Sequence, residues 1–323
     1  MKRVLLLLAV NGFMALPAQA ETHADAAGWL QRMAVAAQKL NYTGTFIYQS
    51  SGSSETSRIT HIVDATGERE KLEVLDGSPR EIVRTNDEVK CFLPEDKVVI
   101  VEKRRRYKAF PALLPYSLGS LGEHYHIRKG EVARIAGLDS QLIILEPRDN
   151  LRYGHMLWAD TSSGLLLKAR MVDEKNEPIE QFAFTQLQIG GVIDRESLKT
   201  KFSTRSNEWR VQNARAAETG LATGDWVFKT LPAGFRKSAG MKRHAAQPGI
   251  ETTHYVFSDG LASISVFIES LGAQQEKTEP STYSAGAINV YKRVTGGHQL
   301  TVLGEVPAAT LKRLGDGMEL KRK

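Results

Sequence analysis

Apolar positions set the first element. Trp29, Leu30, Met33, Ala36, Ala37 and Leu40 recur at helical spacing, so one apolar stripe predicts a helix to about Leu40 with Asp25 as its N-cap. After Tyr42-Thr43-Gly44 the period changes from 3.6 to two. Alternating runs at 45–48, 58–63, 71–75, 81–84, 89–93 and 97–101 read as short strands. Asp, Gly, Ser and Pro clusters such as Asp76-Gly77-Ser78-Pro79 and Pro94-Glu95-Asp96 separate them. That beat describes an antiparallel meander. It stops at Lys103, and 103–121 reads as a long loop. It resumes at 125–128, 132–135, 141–145, 154–159, 165–172 and 179–189. A sheet of that many strands must curl or be covered.

The stretch 202–223 is polar and Ala-rich, with little apolar periodicity, and reads as a linker. A second set of strands follows at 226–228, 254–257, 264–269, 288–294 and 299–306. Asp259-Gly260 and Gly296-Gly297 mark two hairpins. Pro307 opens a short helix over 308–314. The expected organisation is a leader over 1–20, a large β domain over 21–201, a linker over 202–223, a small α+β domain over 224–318 and a basic tail over 319–323.

Composition narrows the class. The chain has 323 residues, 25% charged and 41% hydrophobic, which excludes collagen-like and wholly disordered polymers. Lys and Arg number 43 against 37 Asp and Glu, a bias too mild to indicate nucleic acid. Met1-Lys2-Arg3, an apolar run and Ala18-Gln19-Ala20 before Glu21 form a secretory signal peptide with cleavage between Ala20 and Glu21. The expected address is the bacterial periplasm. Cys91 is the single cysteine, so no internal disulfide forms. With only Lys90 beside it, on the opposite strand face, it reads as a small buried hydrophobe.

Local catalytic motifs are missing: no G-x-S-x-G, no H-E-x-x-H, no P-loop and no G-x-G-x-x-G. His124 and His126, two apart on an expected strand, share a face. Two ligands do not make a zinc site, and an exposed strand pair is the preferred reading. No metal, cofactor or catalytic residue is assigned. The unusual stretch is Lys103-Arg104-Arg105-Arg106-Tyr107-Lys108, which runs into Ala109-Phe110-Pro111-Ala112-Leu113-Leu114. Concentrated positive charge beside an apolar loop suits an anionic amphiphile, a membrane surface or an acidic protein partner. It equally suits a solvated basic strand end next to a loop packed on the core. A curled sheet, likewise, either fills its concavity or keeps it for an apolar ligand.

Many ordered segments resemble one family. They include Tyr42-Thr43-Gly44-Thr45-Phe46-Ile47-Tyr48, Leu75-Asp76-Gly77-Ser78-Pro79-Arg80-Glu81, Cys91-Phe92-Leu93-Pro94 and Phe110-Pro111-Ala112-Leu113-Leu114-Pro115. Further on come Pro147-Arg148-Asp149-Asn150-Leu151-Arg152-Tyr153-Gly154, Leu231-Pro232-Ala233-Gly234-Phe235 and Ser258-Asp259-Gly260-Leu261-Ala262-Ser263. The chain resembles the RseB/MucB family, periplasmic regulators of the sigma-E envelope-stress pathway. The resemblance implies an α+β, mainly antiparallel fold: a half-open barrel like that of the lipoprotein carriers LolA and LppX, plus a smaller domain. It implies binding without catalysis. The partner is the periplasmic segment of a membrane-spanning anti-sigma factor, shielded from site-1 proteolysis and released by lipid or lipopolysaccharide. The candidate lipid residues are Arg104, Arg105, Arg106, Tyr107, Lys108, Phe110, Leu113 and Leu114. The candidate partner residues are Trp226, Phe235, Asp259, Phe267 and Tyr291. Self-association stays open. The alternatives are a periplasmic lipid or lipoprotein carrier and, least favoured, a hydrolase with a dispersed site.

Overall fold

The computed structural model describes residues 18–103, 114, 121–202, 208–213, 218–221, 226–244, 251–271 and 279–321. Helix α1 (Ala18–Lys39) leads into a six-strand meander: β1 (Tyr42–Ser50), β2 (Ser53–Asp64), β3 (Gly67–Val74), β4 (Glu81–Thr85), β5 (Glu88–Leu93) and β6 (Val98–Lys103). A single helical turn, α2 (Leu121–His124), opens a second meander of β7 (Tyr125–Ile135), β8 (Leu138–Pro147), β9 (Gly154–Asp160), β10 (Leu166–Val172) and β11 (Pro178–Ile189). β11 pairs antiparallel with β1, from Tyr42 opposite Ile189 to Ser50 opposite Glu180. The two meanders thereby fuse into one sheet. β12 (Arg210–Asn213) joins its far edge, parallel to β6, to give the order β12-β6-β5-β4-β3-β2-β1-β11-β10-β9-β8-β7.

The small domain holds β13 (Glu218–Leu221), β14 (Trp226–Phe228), β15 (Arg236–His244), β16 (Glu251–Ser258), β17 (Ser263–Ser270), β18 (Ser281–Ala285), β19 (Ile288–Thr295), β20 (His298–Gly304), α3 (Ala308–Asp316) and β21 (Met318–Leu320). Seven of these form a sheet in the order β13-β15-β16-β17-β20-β19-β18, while β14 pairs with β21. Helix α3 packs on β19 and β20, burying Leu311 and Leu314 beside Tyr291 and Val302.

A sheet of twelve strands does not stay flat. Here it curls until edge strand β7 touches β11, four places away in strand order. Its inner face carries Phe46, Ile143, Leu145, Leu157, Phe182 and Phe184, and α1 lays Leu30 and Met33 into the same core. The rings of Phe46 and Phe182 meet edge to face at 6.2 Å. On the outer face the strap 195–202 crosses β3 and β4. There the buried Lys71 Nζ reaches Glu81 Oε1 and the Lys199 carbonyl, both at 2.9 Å. Glu81 in turn accepts the Thr200 hydroxyl at 2.6 Å.

Several expectations need correction. The helix begins at Ala18, so Asp25 lies within it and caps nothing; its carboxylate instead accepts Lys129 Nζ at 2.7 Å. Residues 125–128 and 132–135 are one strand, β7, bent by a register shift between Lys129 and Val132. Gly130 lies at that bulge because a Cβ there would come within 2.7 Å of the Leu142 side chain. The stretch 202–223 carries β12 on the large sheet and β13 on the small one. β15 and β18 escaped notice because Arg236-Lys237-Ser238-Ala239-Gly240 and Ser281-Thr282-Tyr283-Ser284-Ala285 lack apolar alternation. Cys91 is half-buried on β5, and burial pushes its thiol pKa up.

Two measurements test this packing. Leu30→Ala removes a side chain wholly inside the α1 core. It should cost about 2–5 kcal/mol by urea unfolding; a loss near that of a surface variant would mean α1 is not part of the folded unit. The second concerns His61, which is buried, stacks on Tyr42 at 5.0 Å, and places Nδ1 2.8 Å from the Leu40 carbonyl and Nε2 3.4 Å from Glu68. Burial opposes its charge, but Glu68, Leu40 and Glu70 outweigh it, so its pKa is raised. The charged form then contributes stability that is complete below the unfolded value of about 6.5 and lost as pH rises through the folded value. The urea midpoint should fall more between about pH 6 and 8 in the natural chain than in His61→Gln. Equal falls would take His61 out of the pH response.

Candidate functional site: a buried seam and an apolar cleft

The loop 148–153 between β8 and β9 joins the domains. Asp149 shapes it: its Oδ1 accepts the Leu151 amide at 3.0 Å, an Asx turn that brings Arg152 back onto the same carboxylate. The guanidinium then grips Asp149 with Nε and Nη2, each at 3.0 Å. Its other contacts are in the small domain. Nη1 donates to Asp259 Oδ2 at 2.5 Å, and Nη2 to the Ala233 carbonyl at 2.5 Å. The Arg152 and Asp259 side chains are both 0% exposed. The guanidinium also lies over the rings of Tyr125, 5.7 Å away, and Phe235, 5.3 Å away. Burial disfavours the Arg152 charge, yet Asp149 and Asp259 more than offset this and hold its pKa up. Burial also raises the Tyr125 hydroxyl pKa, and the Asp259 charge adds to it.

Asp259 is held in turn. It sits in the loop between β16 and β17, where its Oδ1 accepts the Leu261 and Ala262 amides at 2.8 Å. Gly234, at φ +81°, makes room for the His124 ring; a Cβ there would lie 2.2 Å from Nε2. Two outer bonds extend the seam: Thr310 Oγ1 to the Leu151 carbonyl at 3.0 Å, and Asn289 Nδ2 to the Tyr153 hydroxyl at 2.9 Å.

Beside the seam lies a cleft of about 890 Å³ with walls from both domains. Phe46, Leu157 and Phe182 line it on the inner face of the large sheet, Val256, Ile288 and Leu303 on the small sheet. Leu114 also lines it. The polar margin includes Glu55, Glu180 and Glu305. Tyr48 donates to Glu180 at 2.6 Å, and burial together with that carboxylate raises its pKa. Glu55 is paired with Arg80 at 3.1 Å. Such a volume with apolar walls is of the size that takes a drug-sized apolar group or acyl segment.

Of the lipid candidates, Leu114 is in the cleft wall, while Arg104, Arg105, Arg106, Tyr107, Lys108, Phe110 and Leu113 lie outside the described residues. Ala20 and Glu21 fall in the first turns of α1. The partner candidates are mostly interior. Trp226 and Tyr291 are in the small-domain core; Trp226 meets His298 edge-on at 5.3 Å, and the Tyr291 hydroxyl donates to Asp316 at 2.5 Å. Phe235 lies beneath Arg152, and Asp259 is its counter-ion. Phe267 is half-buried, stacked on His254 at 4.1 Å. These side chains hold the fold and offer a partner little surface. His124 ends α2 and His126 is exposed on β7, so they share no strand face. Among the described residues no three His, Cys, Asp or Glu side chains gather as metal ligands. Arg152 and Asp149 were missed as a pair with Asp259. The available signal was that all three sit in matched segments, Pro147 to Gly154 and Ser258 to Ser263.

Comparison with known proteins decides the family. Residues 25–202 match the MucB/RseB N-terminal domain and 221–319 the MucB/RseB C-terminal domain. This chain belongs to the MucB/RseB family. It is 32% identical over 318 residues to the sigma factor AlgU regulatory protein MucB of Pseudomonas aeruginosa, covering 97% of this chain and 96% of that one. It is 25% identical over 311 residues to the sigma-E factor regulatory protein RseB of Escherichia coli K12, covering 96% and 95%. Among solved structures, MucB in complex with MucA(peri) matches at TM-score 0.73 and 28% identity, over 93% of this chain and all of that one. Crystalline MucB alone matches at TM-score 0.63 over 92% and 98%. The family's fold, mostly antiparallel β with a large and a small sheet domain, is the one seen here, and its named members are regulators of sigma factors.

Removing one member of a buried ion cluster strands the others. Arg152→Ala should therefore cost about 3–5 kcal/mol in urea unfolding. It should also uncouple the domains, giving two thermal transitions where the natural chain gives one. A single unshifted transition would show that the seam does not hold the domains together.

Proposed function

We propose that this protein binds the periplasmic segment of a membrane-spanning anti-sigma factor, shields it from site-1 proteolysis and so restrains the sigma-E envelope-stress response. The observation that carries this reading is the whole-chain likeness to MucB in complex with MucA(peri), which includes both domains. On this reading the protein works in the periplasm after loss of residues 1–20 and performs no catalysis.

Release comes from an amphiphile. The cleft accepts its apolar part, and Leu114 in the cleft wall ends the basic–apolar stretch that starts at Lys103. Arg104, Arg105, Arg106 and Lys108 meet the phosphates of a lipid or lipopolysaccharide, since Arg forks suit phosphate oxygens. Because both domains line the cleft, an occupant acts on their separation. If amphiphile and anti-sigma segment favour different separations, each weakens the other by the same factor, typically about 1–3 kcal/mol.

The test is a titration of the chain from Glu21 onward with the anti-sigma periplasmic segment, with and without lipopolysaccharide. Binding that lipopolysaccharide weakens about five- to 150-fold is the expected result; no binding removes the reading. In Arg104→Ala with Arg105→Ala and Arg106→Ala, lipid response should drop while partner affinity stays. An intact response in that variant would take the basic stretch out of the mechanism.

A further inference from the structure

Among the described residues the two large sheets end on four strands: β12 and β7, β13 and β18. An open edge is a row of N–H and C=O groups able to pair with another chain, and folded proteins guard edges with charge, bulges or extreme shortness. β12 has four residues and starts on Arg210. β7 is broken by its bulge and carries Arg128, Lys129 and Arg134. β13 has four residues, with Glu218 at its head. β18 is different. Ser281-Thr282-Tyr283-Ser284-Ala285 has no charge, pairs with β19 in unbroken register, and is exposed at all five positions, Tyr283 at 48%.

Its place gives the edge a purpose. Tyr283 stands opposite Val290, on the sheet face away from α3. That face carries Val256, Ser265 and Leu303 into the cleft. At the end of the hairpin, Ile288 is 39% exposed and lines the cleft, and a Cβ on Gly286 would lie 2.9 Å from Ser50 Oγ of the large domain. A strand added outside β18 would thus run along the lip of the cleft. Lys292 Nζ lies over the Tyr283 ring at 5.6 Å and has no carboxylate partner among the described residues, which brings a cation to this edge.

We infer that β18 is the docking edge for an extended segment of the polypeptide partner, which adds to the small sheet as an eighth strand. This rests on the regulator reading and gives it a binding mode. The segment recognised carries, two residues apart and so on one strand face, an apolar side chain against Tyr283 and an acidic one within reach of Lys292. A backbone held in the ladder is engaged along its length and cannot lie extended in a protease cleft.

Hydrogen exchange tests the inference on the chain from Glu21 onward, with and without the anti-sigma periplasmic segment. The expected result is at least about tenfold slower exchange within 281–285 on complex formation, and about tenfold weaker binding in Lys292→Glu with unchanged thermal unfolding. A complex that leaves exchange at 281–285 unaltered overturns the docking edge while the regulator reading stands. Absence of any complex overturns both. Slowing that follows the concentration of this chain alone assigns the edge to a second copy and overturns the partner assignment.

Discussion

Arg152 is the constraint on which the two-domain arrangement depends. A guanidinium taken wholly out of water is stable only if its donors and charge are met in place. Asp149 meets two donors from within the same loop, so half of the requirement is satisfied before the small domain arrives. Asp259 and the Ala233 carbonyl complete it. The seam is therefore specific more than it is strong. An apolar seam of equal area tolerates sliding, whereas this one loses a buried hydrogen bond with any displacement that separates Arg152 from Asp259. The aromatic faces of Tyr125 and Phe235 add to this by excluding water from the cluster.

The cleft inherits its shape from that seam. Its walls belong to different domains, and nothing in either sheet alone fixes the gap between Leu157 and Leu303. A ligand that wedges them apart works against the Arg152 cluster; a partner that needs them close is favoured by it. Both effects pass through one element, which is what reciprocal coupling requires. The stretch 202–223, by contrast, is tied at both ends: β12 to the large sheet and β13 to the small one. Tethered in this way, it limits how far the domains separate without itself setting their angle.

Legibility in the sequence followed periodicity. The alternating runs of β1 to β11 and of β16, β17, β19 and β20 were readable because each buries one face. β15 and β18 were not, because β15 is mostly polar and β18 is exposed throughout, and pairing rather than burial makes them strands. The helix start at Ala18 was hidden by Asp25, a good cap residue that the structure uses as a partner for Lys129. The site was legible only as matched segments. Asp259-Gly260 looked like a hairpin turn, and it is one, but the side chain also serves a charge more than a hundred residues upstream. No local pattern reports a contact of that separation. Among the partner candidates, Trp226 and Tyr291 lie in the small-domain core, as aromatics of a small domain more often do.

The cleft margin sets a condition on any amphiphile proposed to bind there. The carboxylates of Glu55, Glu180 and Glu305 stand at it; Glu55 pairs with Arg80 and Glu180 accepts the Tyr48 hydroxyl. An anionic head group brought there unaided meets like charge, which disfavours it. The countercharge must come from elsewhere in the chain, and connectivity supplies it. Lys108 precedes the cleft residue Leu114 by six positions, and six residues span at most about 20 Å, so Lys108 is tethered within about 20 Å of the cleft wall whatever path the chain takes. The acidic margin and the basic stretch are thus complementary. On the proposed function, a phosphorylated amphiphile would present its phosphates to these cations while its apolar part fills the cleft. Such an occupant would need phosphate and acyl chain together, a requirement that would separate an envelope amphiphile from free phosphate or a neutral lipid.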